Sequence, residues 1–293
     1  MNFLVLVLFV LLEKIIPIFP IGFLYRLARL KSKFFYYFLP VRKKTARINL
    51  KMAFPEKTIG EINEIIKECY LNILIVIVEF FYMRKFTNEQ LSKKFVIVNS
   101  GIMKKKFEIG KGIVFVSGHF GNWEIMAYGG TLAMGIPLDI IVKEQTNKAI
   151  DRRINSVRVS GGNRMIEMKK SGREVMKALS ENRFVAMLGD QSAPAESVRV
   201  KFFGMDITAF EGAAAFALKT GAPVFFGVPV RDENYNYSLE AVEINTAVYN
   251  GYNTANIQQM TQEIISLLED KIRRYPGHWL WFHRRFKSVI SYG

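Results

Sequence analysis

The chain has 293 residues, half of them hydrophobic, which is enough for one sizeable core with an appendage. It contains a single cysteine, Cys69, so a disulfide framework and a cysteine-rich metal site are excluded. Its formal net charge of +15 favours anionic partners: phospholipid head groups, a phosphorylated glycolipid, an acidic carrier protein or nucleic acid.

The chain opens with a long apolar run. Residues 3–25 are apolar apart from Glu13, Lys14 and two prolines, and together they are about long enough to cross a bilayer. The charges and prolines weaken a simple spanning helix, so a shallow insertion into one leaflet is nearly as good an interpretation. A buried core helix is the plainer alternative. We interpret residues 1–25 as a membrane anchor that either spans the membrane or lies in its interface.

A basic cluster follows this run. Between Arg26 and Lys57 the chain carries ten basic residues and one acid. Such a cluster beside an apolar run points to anionic membrane lipids, and no zinc finger, RNA-binding signature or basic zipper supports nucleic acid. Apolar residues recur at helical spacing through residues 45–54 and 59–84. We therefore interpret residues 26–91 as a basic helical segment that faces the membrane, with the rest of the chain in the cytoplasm by the positive-inside rule.

In residues 92–293, strand-like and helix-like stretches alternate. The predicted strands are 95–98, 113–116, 138–142, 184–188, 198–203, 224–228 and 238–244, and the predicted helices are 122–134, 148–159, 172–180, 211–219 and 254–274. This alternation predicts an α/β domain in which helices flank a central, largely parallel sheet.

The segment Gly-His-Phe-Gly-Asn-Trp-Glu, residues 118–124, reads as the turn between a strand and a helix, with Asn122 as the N-cap. On a single helix His119 and Glu124 would point about 140° apart, but with His119 in the turn both can face one cleft. An imidazole held by a carboxylate can act as a general base towards a hydroxyl. Since no Ser or Cys nucleophile motif lies nearby, that hydroxyl would attack an activated acyl group directly. The plainer interpretation is that both residues merely cap local structure.

Other residues are candidates with equally plain alternatives. Asp190 and Gln191 follow a predicted strand, where ligand crevices form, although a simple turn would use the same residues. Glu211 opens a small-residue helix and need only be a first-turn carboxylate. Glu79 lies in an apolar helix, where we expect it to be the satisfied partner of a nearby base. Two further sets of basic residues suit phosphate binding. One lies within residues 152–173 and includes Arg173, and the other lies within residues 275–287 and includes Arg284.

Motifs for several other chemistries are missing. The Gly-x-Gly pattern at residue 110 lacks its third glycine, and the sequence has no Walker A loop, zinc-protease motif or Gly-x-Ser-x-Gly elbow. The three histidines, His119, His278 and His283, have no clustered carboxylates beside them in the sequence. We therefore expect no metal and no cofactor.

These motifs together resemble the late acyltransferases of lipid A biosynthesis, within the wider glycerolipid acyltransferase superfamily that a His-x4-acid motif marks. The likeness runs over nearly the whole chain and is carried by Arg47-Ile48-Asn49-Leu50, Ala53-Phe54-Pro55-Glu56, residues 118–124, Asp190-Gln191, Phe202-Phe203-Gly204 and Trp281-Phe282-His283-Arg284-Arg285-Phe286-Lys287.

The resemblance implies a glycerol-3-phosphate-acyltransferase-like fold and an enzyme on the cytoplasmic face of the inner membrane. Such an enzyme moves an acyl chain from acyl carrier protein to a hydroxyl of a lipid A precursor, which is a phosphorylated glycolipid. It implies that His119 is the catalytic base and Glu124 its orienting acid. The substrate-site residues expected beside them are Asn122, Arg173, Asp190, Gln191, Glu211 and Arg284.

Two alternatives stay open at the level of the sequence. The acceptor in place of lipid A would be a glycerophospholipid, a glycosylated inositol lipid or another membrane glycolipid. A protein of a different class would be a non-catalytic adaptor that binds membranes through its basic surface. The apolar anchor argues against a nucleic-acid-binding protein. The acyl chain length depends on how deep the pocket runs, which is a matter of packing.

Overall fold

The computed structural model describes residues 2–292, apart from the side chains of Asn2 and Ser160. The helices are α1 Asn2–Ile15, α2 Ile21–Phe38, α3 Lys43–Ala53, α4 Ile59–Tyr82, α5 Asn88–Lys94, α6 Ser100–Phe107, α7 Trp123–Met134, α8 Lys148–Arg158, α9 Ser171–Ser180, α10 Gly212–Thr220 and α11 Thr254–Arg274. The strands are β1 Phe95–Ile97, β2 Ile113–Ser117, β3 Leu138–Val142, β4 Arg164–Glu167, β5 Phe184–Leu188, β6 Arg199–Phe202, β7 Met205–Thr208, β8 Val224–Phe226, β9 Val230–Arg231, β10 Tyr237–Leu239 and β11 Val242–Ile244.

A six-stranded sheet in the order β11-β8-β2-β5-β3-β4 lies at the centre of the fold. Its strands pair in parallel, except that β11 runs antiparallel to β8 at one edge. Strand β2 is buried at all of its positions, because it lies inside the sheet with helices on both faces. The predicted α/β fold with a largely parallel sheet is confirmed. A small sheet, β1-β10-β9, and the hairpin β6-β7 complete the strands.

The sheet separates two hydrophobic cores. Successive side chains of a strand point to opposite faces, so Val114 and Val116 of β2 join one core while Ile113 and Phe115 join the other. Helices α3, α9, α10 and α11 contribute to the first core, and α5, α6 and α7 to the second. Helix α7 therefore lies over the same face of the sheet as Phe115.

Several predicted bounds differ from the structure. The run 238–244 is not one strand: β10 pairs with β1 in the small sheet, and β11 pairs with β8 in the large one. Strands β4, β7 and β9 were not predicted, because each is short and mixes polar with apolar residues. Helices α5 and α6 were missed for the same reason. Strands 138–142 and 184–188 have the predicted bounds.

The N-terminal helices pack on the domain and leave apolar surface outward. None of the helices within residues 2–292 combines the length and the hydrophobicity needed to cross a membrane. Glu13, which interrupts the apolar run, binds Arg153 of α8 at 2.5 Å. One side of α2 packs against α4 through Tyr25 and its neighbours. The opposite side carries a stripe of exposed apolar residues, which we call the α2 stripe: Phe23, Leu27, Leu30, Phe34, Tyr37 and Phe38.

Candidate active site

The loop that carries His119 connects the end of β2 to the start of α7. Asn122 caps α7, since its Oδ1 accepts the backbone N–H groups of Glu124 at 3.1 Å and Ile125 at 3.0 Å. Gly121 has a φ of +52°, and a Cβ there would lie 2.0 Å from the carbonyl oxygen of Pro229, so only glycine fits. The predicted strand, turn and capped helix are confirmed.

Asp190 holds the imidazole of His119. Its Oδ1 is 2.7 Å from Nδ1 of the ring, and its Oδ2 accepts the backbone N–H of His119 at 2.7 Å. The indole N–H of Trp279 also donates to Oδ2, at 2.8 Å. Because a carboxylate accepts at Nδ1, that nitrogen carries the proton and Nε2 keeps its lone pair. Nε2 lies 3.4 Å from the side-chain nitrogen of Gln191.

His119 and Asp190 each shift the pKa of the other in the direction that favours its charged form. Burial alone would lower the pKa of His119, but the Asp190 carboxylate, its hydrogen bond and the more distant Glu124 raise that pKa above its ordinary value. Burial would raise the pKa of Asp190, and the imidazole together with its other donors holds it below its ordinary value. Because its pKa is lowered, Asp190 stays ionised although its side chain is only 2% exposed. It makes His119 a stronger base than a free imidazole.

Glu124 does not orient His119, which corrects the expectation drawn from the sequence. Its carboxylate takes two hydrogen bonds from Arg158 at the end of α8, from Nε at 2.9 Å and from Nη2 at 2.5 Å. The Nδ1 position of the ring is occupied by Asp190, 71 residues along the chain. Arg158 was not among the residues singled out in the sequence, where one arginine in a basic helix gives no signal. The site thus holds one hydrogen-bonded pair, His119 with Asp190, and one ion pair, Arg158 with Glu124.

A buried network behind the loop fixes Asn122. Its Nδ2 donates to Glu79 of α4 at 2.7 Å. The hydroxyls of Tyr25 and Tyr237 donate to the same carboxylate, each at 2.6 Å, and Nζ of Lys94 lies 2.8 Å from it. The prediction that Glu79 is the satisfied partner of a base is confirmed. The Oδ1 and Nδ2 atoms of Asn122 are both hydrogen-bonded within the protein, so the contacts of Asn122 serve to position α7.

Residues 278–280 pack directly on the loop that carries His119. The N–H of Gly121 donates to the carbonyl of His278 at 2.9 Å, and the N–H of Leu280 donates to that of His119 at 3.0 Å. Asn72 of α4 donates to the carbonyls of Gly121 at 3.0 Å and His278 at 3.3 Å. Helix α4 therefore binds both halves of the site.

An apolar cavity of about 400 Å³ extends inward from these residues. His119, Glu124, Arg158 and Gln191 line its polar end. The remaining lining is mainly apolar and comes from α7, from the central sheet beneath it and from the small sheet: Met126, Met134, Leu138, Phe184, Ala186 and Leu239 among others. The site is thus an imidazole at the mouth of a hydrophobic pocket.

The other predicted substrate residues lie outside this cavity. Arg173 is exposed on α9, and Arg284 is exposed with its guanidinium 5.8 Å from the ring centre of Tyr292. Glu211 accepts the backbone N–H of Val198 at 2.9 Å, which fixes the start of β6. None of the three lines the cavity as far as residues 2–292 define it. Their assignment to a substrate site stays a prediction.

An imidazole with an ionised orienting acid, beside a pocket shaped for an apolar chain, suits an enzyme that acylates a hydroxyl. The family model of the bacterial lipid A biosynthesis acyltransferases matches residues 2–288. The chain belongs to that family and is an acyltransferase, so the resemblance is confirmed and the non-catalytic adaptor is excluded. Similar proteins include the lipid A biosynthesis palmitoleoyltransferase of Escherichia coli strain K12 and the lipid A biosynthesis acyltransferase of Shigella flexneri. Each is 25% identical over 256 residues, which cover 86% of this chain and 80% of the relative.

Proposed function

We propose that this acyltransferase moves a fatty acyl chain from acyl carrier protein to a hydroxyl of a lipid A precursor. The observation that carries the proposal is the bond between His119 Nδ1 and buried Asp190, which leaves Nε2 unprotonated at the mouth of an apolar cavity. The family and the names of both relatives support lipid A biosynthesis as the pathway.

The reaction requires one proton to move twice. His119 Nε2 takes the proton of the acceptor hydroxyl while the hydroxyl oxygen attacks the thioester carbonyl of the donor. Asp190 stabilises the imidazolium that forms. When the tetrahedral intermediate collapses, the C–S bond breaks and the imidazolium returns the proton to the departing thiolate. The products are the acylated acceptor and the free thiol of the carrier, with His119 neutral again.

Arg158 is the group best placed to stabilise the oxyanion. The N–H groups of Glu124 and Ile125 at the start of α7 are already occupied by Asn122, so they are poor donors to a reacting carbonyl. Arg158 lines the cavity beside His119, and Glu124 holds its guanidinium through two hydrogen bonds. A fixed cation at this place costs no reorganisation when negative charge develops.

The charge of the protein suits both substrates. Acyl carrier protein is acidic and the glycolipid acceptor is phosphorylated, so each is attracted to a chain with a net charge of +15. Lys143 and Lys287 line the cavity together with Arg158 and carry positive charge to it. We propose that they face the acceptor phosphates.

The α2 stripe supports attachment to the cytoplasmic face of the inner membrane. Its residues follow one another at helical spacing on the outer side of α2, and Arg26 and Lys33 lie on the same helix. Such a helix lies in the interface with its apolar side among the acyl chains and its bases on anionic head groups. The α2 stripe extends past residue 25, so the proposed contact is broader than the predicted anchor.

The test is acyl transfer by the purified full-length chain in detergent or vesicles. Acyl carrier protein loaded with fatty acid is the donor, and the acceptors compared are a lipid A precursor, lysophosphatidic acid and a glycosylated inositol lipid. We expect transfer to the lipid A precursor, and a His119→Ala variant that melts like the wild type is expected to lose it. If either other lipid is acylated in preference, the lipid A precursor is not the acceptor. Full activity of His119→Ala would refute the mechanism.

A further inference from the structure

One face of α7 forms a wall of the cavity along nearly the whole helix. The lining residues recur every three or four positions, which places them on one side of the helix: Trp123, Met126, Ala127, Gly130 and Met134. With a rise of about 1.5 Å per residue, Met134 lies about 15 Å along the axis beyond Glu124. The helix therefore marks depth in the cavity, measured from the reacting groups.

The strands opposite α7 line the cavity over the same distance from its polar end. At the polar end the cavity is lined by Ser117 and Leu188, at the carboxyl ends of β2 and β5. At the deep end it is lined by Leu138 and Phe184, which pair with each other at the amino ends of β3 and β5. The cavity thus runs the full length of the central strands. It ends under the last turns of α7.

Two consecutive glycines of α7 differ in what surrounds them. A Cβ at Gly129 would lie 2.7 Å from the side chain of Phe95, so the ring of Phe95 already occupies the space beside this glycine. A Cβ at Gly130 would meet only Leu138 Cδ1, at 3.9 Å, and Gly130 lines the cavity. The space beside Gly130 therefore belongs to the cavity, at about two thirds of its depth.

We propose that Gly130 determines the length of the acyl chain that this enzyme transfers. Its missing side chain leaves room for the last methylenes of the chain, and Ala127 and Met134 mark positions one turn nearer to and one turn farther from the reacting groups. The inference rests on the proposed function, because it takes the apolar cavity as the acyl site. It predicts an order of effects along the helix and not merely a loss of activity.

The experiment measures kcat/KM of full-length variants with saturated acyl carrier protein donors of graded chain length. Gly130→Leu is expected to shift the optimum to shorter chains, and Ala127→Leu to shift it further. Met134→Ala is expected to shift it to longer chains. Each methylene that no longer fits is expected to lower kcat/KM by about tenfold or more. With Gly130→Leu, short donors are expected to lose less kcat/KM than long donors do.

The control is Gly101→Leu, which adds the same side chain at an exposed helical glycine outside the cavity. Gly130→Ala adds only one methyl group at ordinary contact distance, so it serves if the leucine variant does not fold. An unchanged length profile in both Gly130 variants, with wild-type activity retained, would overturn the inference and leave the acyltransferase reaction intact. A wild-type protein that accepts no acyl donor would instead refute the proposed function.

Discussion

The pairing of His119 with Asp190, and of Glu124 with Arg158, predicts different outcomes for two conservative substitutions. Asp190→Asn removes the charge from the residue that fixes the imidazole. Glu124→Gln removes the charge that holds the guanidinium and leaves the hydrogen bonds of His119 in place. If Asp190 is the orienting acid, its substitution has the larger effect on the basicity of His119.

The expected size follows from the contacts. An asparagine at position 190 presents an N–H or a weaker acceptor to Nδ1, so the proton tends to move to Nε2 and the base is lost. Loss of an orienting aspartate in this way costs about ten-thousandfold in kcat, or about 5 kcal/mol of barrier. Glu124→Gln leaves the tautomer intact, so we expect a smaller loss, with weaker stabilisation of the oxyanion by Arg158.

The pH profile separates the two roles. His119 acts as a base only when neutral, so kcat/KM rises as the pH passes its pKa. That pKa is raised in the wild type, which places the midpoint of the acid limb above the ordinary value of about 6.5. Without the Asp190 charge the effect of burial dominates, so the midpoint of any residual activity is expected to fall. Glu124→Gln shifts it in the same direction by less, because its charge contributes less.

The assay is a set of kcat/KM profiles between pH 5 and 9, roughly the range in which histidine titrates, with thermal unfolding recorded for each variant. Asp139→Asn is the matched control. Asp139 is 1% exposed and is bound by Arg164 and Arg183, so its loss destabilises the fold without touching His119. The reasoning is refuted if Glu124→Gln lowers the acid limb more than Asp190→Asn does.

Three further substitutions test the surroundings of the site. Glu79→Gln leaves Lys94 buried without its counter-charge and is expected to lower the free energy of unfolding by about 3–5 kcal/mol in urea titrations. Phe34→Ser removes an exposed ring of the α2 stripe and is expected to weaken binding to anionic vesicles in sedimentation assays by about tenfold or more. Gly129→Ala places a methyl group against a packed ring and is expected to cost about 1–3 kcal/mol by thermal unfolding.

Each of these has a control elsewhere in the chain. Glu89→Gln breaks a surface ion pair with Lys93 and should leave stability nearly unchanged. Val248→Ser removes a more exposed apolar group outside the α2 stripe and should leave vesicle binding unchanged. Gly172→Ala has no neighbour within 4 Å and should be neutral or stabilising. If a variant and its control change stability or vesicle binding equally, the role proposed for the corresponding contact is wrong.

Local patterns in the sequence were sufficient for the centre of the fold. Strand β5 is a continuous apolar run and β3 is apolar apart from Asp139, as expected of strands covered on both faces, so their bounds were predictable. The capped start of α7 was predictable because Asn122, the glycines and the acid all lie within seven residues. The edge strand β4 was not, since its residues alternate in no clear pattern.

The pairing of the titratable side chains at the site could not be predicted from the sequence. His119 and Glu124 are close in sequence, but the acid that bonds the ring comes from the end of a neighbouring parallel strand, because β2 and β5 pair in register up to Ser117 and Leu188. Asp190 was expected only as a substrate residue. Arg158 gave no signal at all. Where the chain divides between residues 25 and 92 stays a prediction.

The packing of residues 278–280 against the loop that carries His119 has a consequence for the synthesis of the chain. The ribosome has made the loop long before it makes Trp279, whose indole is one of three donors to Asp190. A nascent chain that already contains β2, β5, His119 and Asp190 still lacks the indole N–H that donates to Asp190. A chain that ends before Trp279 lacks one of the three donors to Asp190, so we expect it to transfer acyl groups more slowly than a chain that contains this residue.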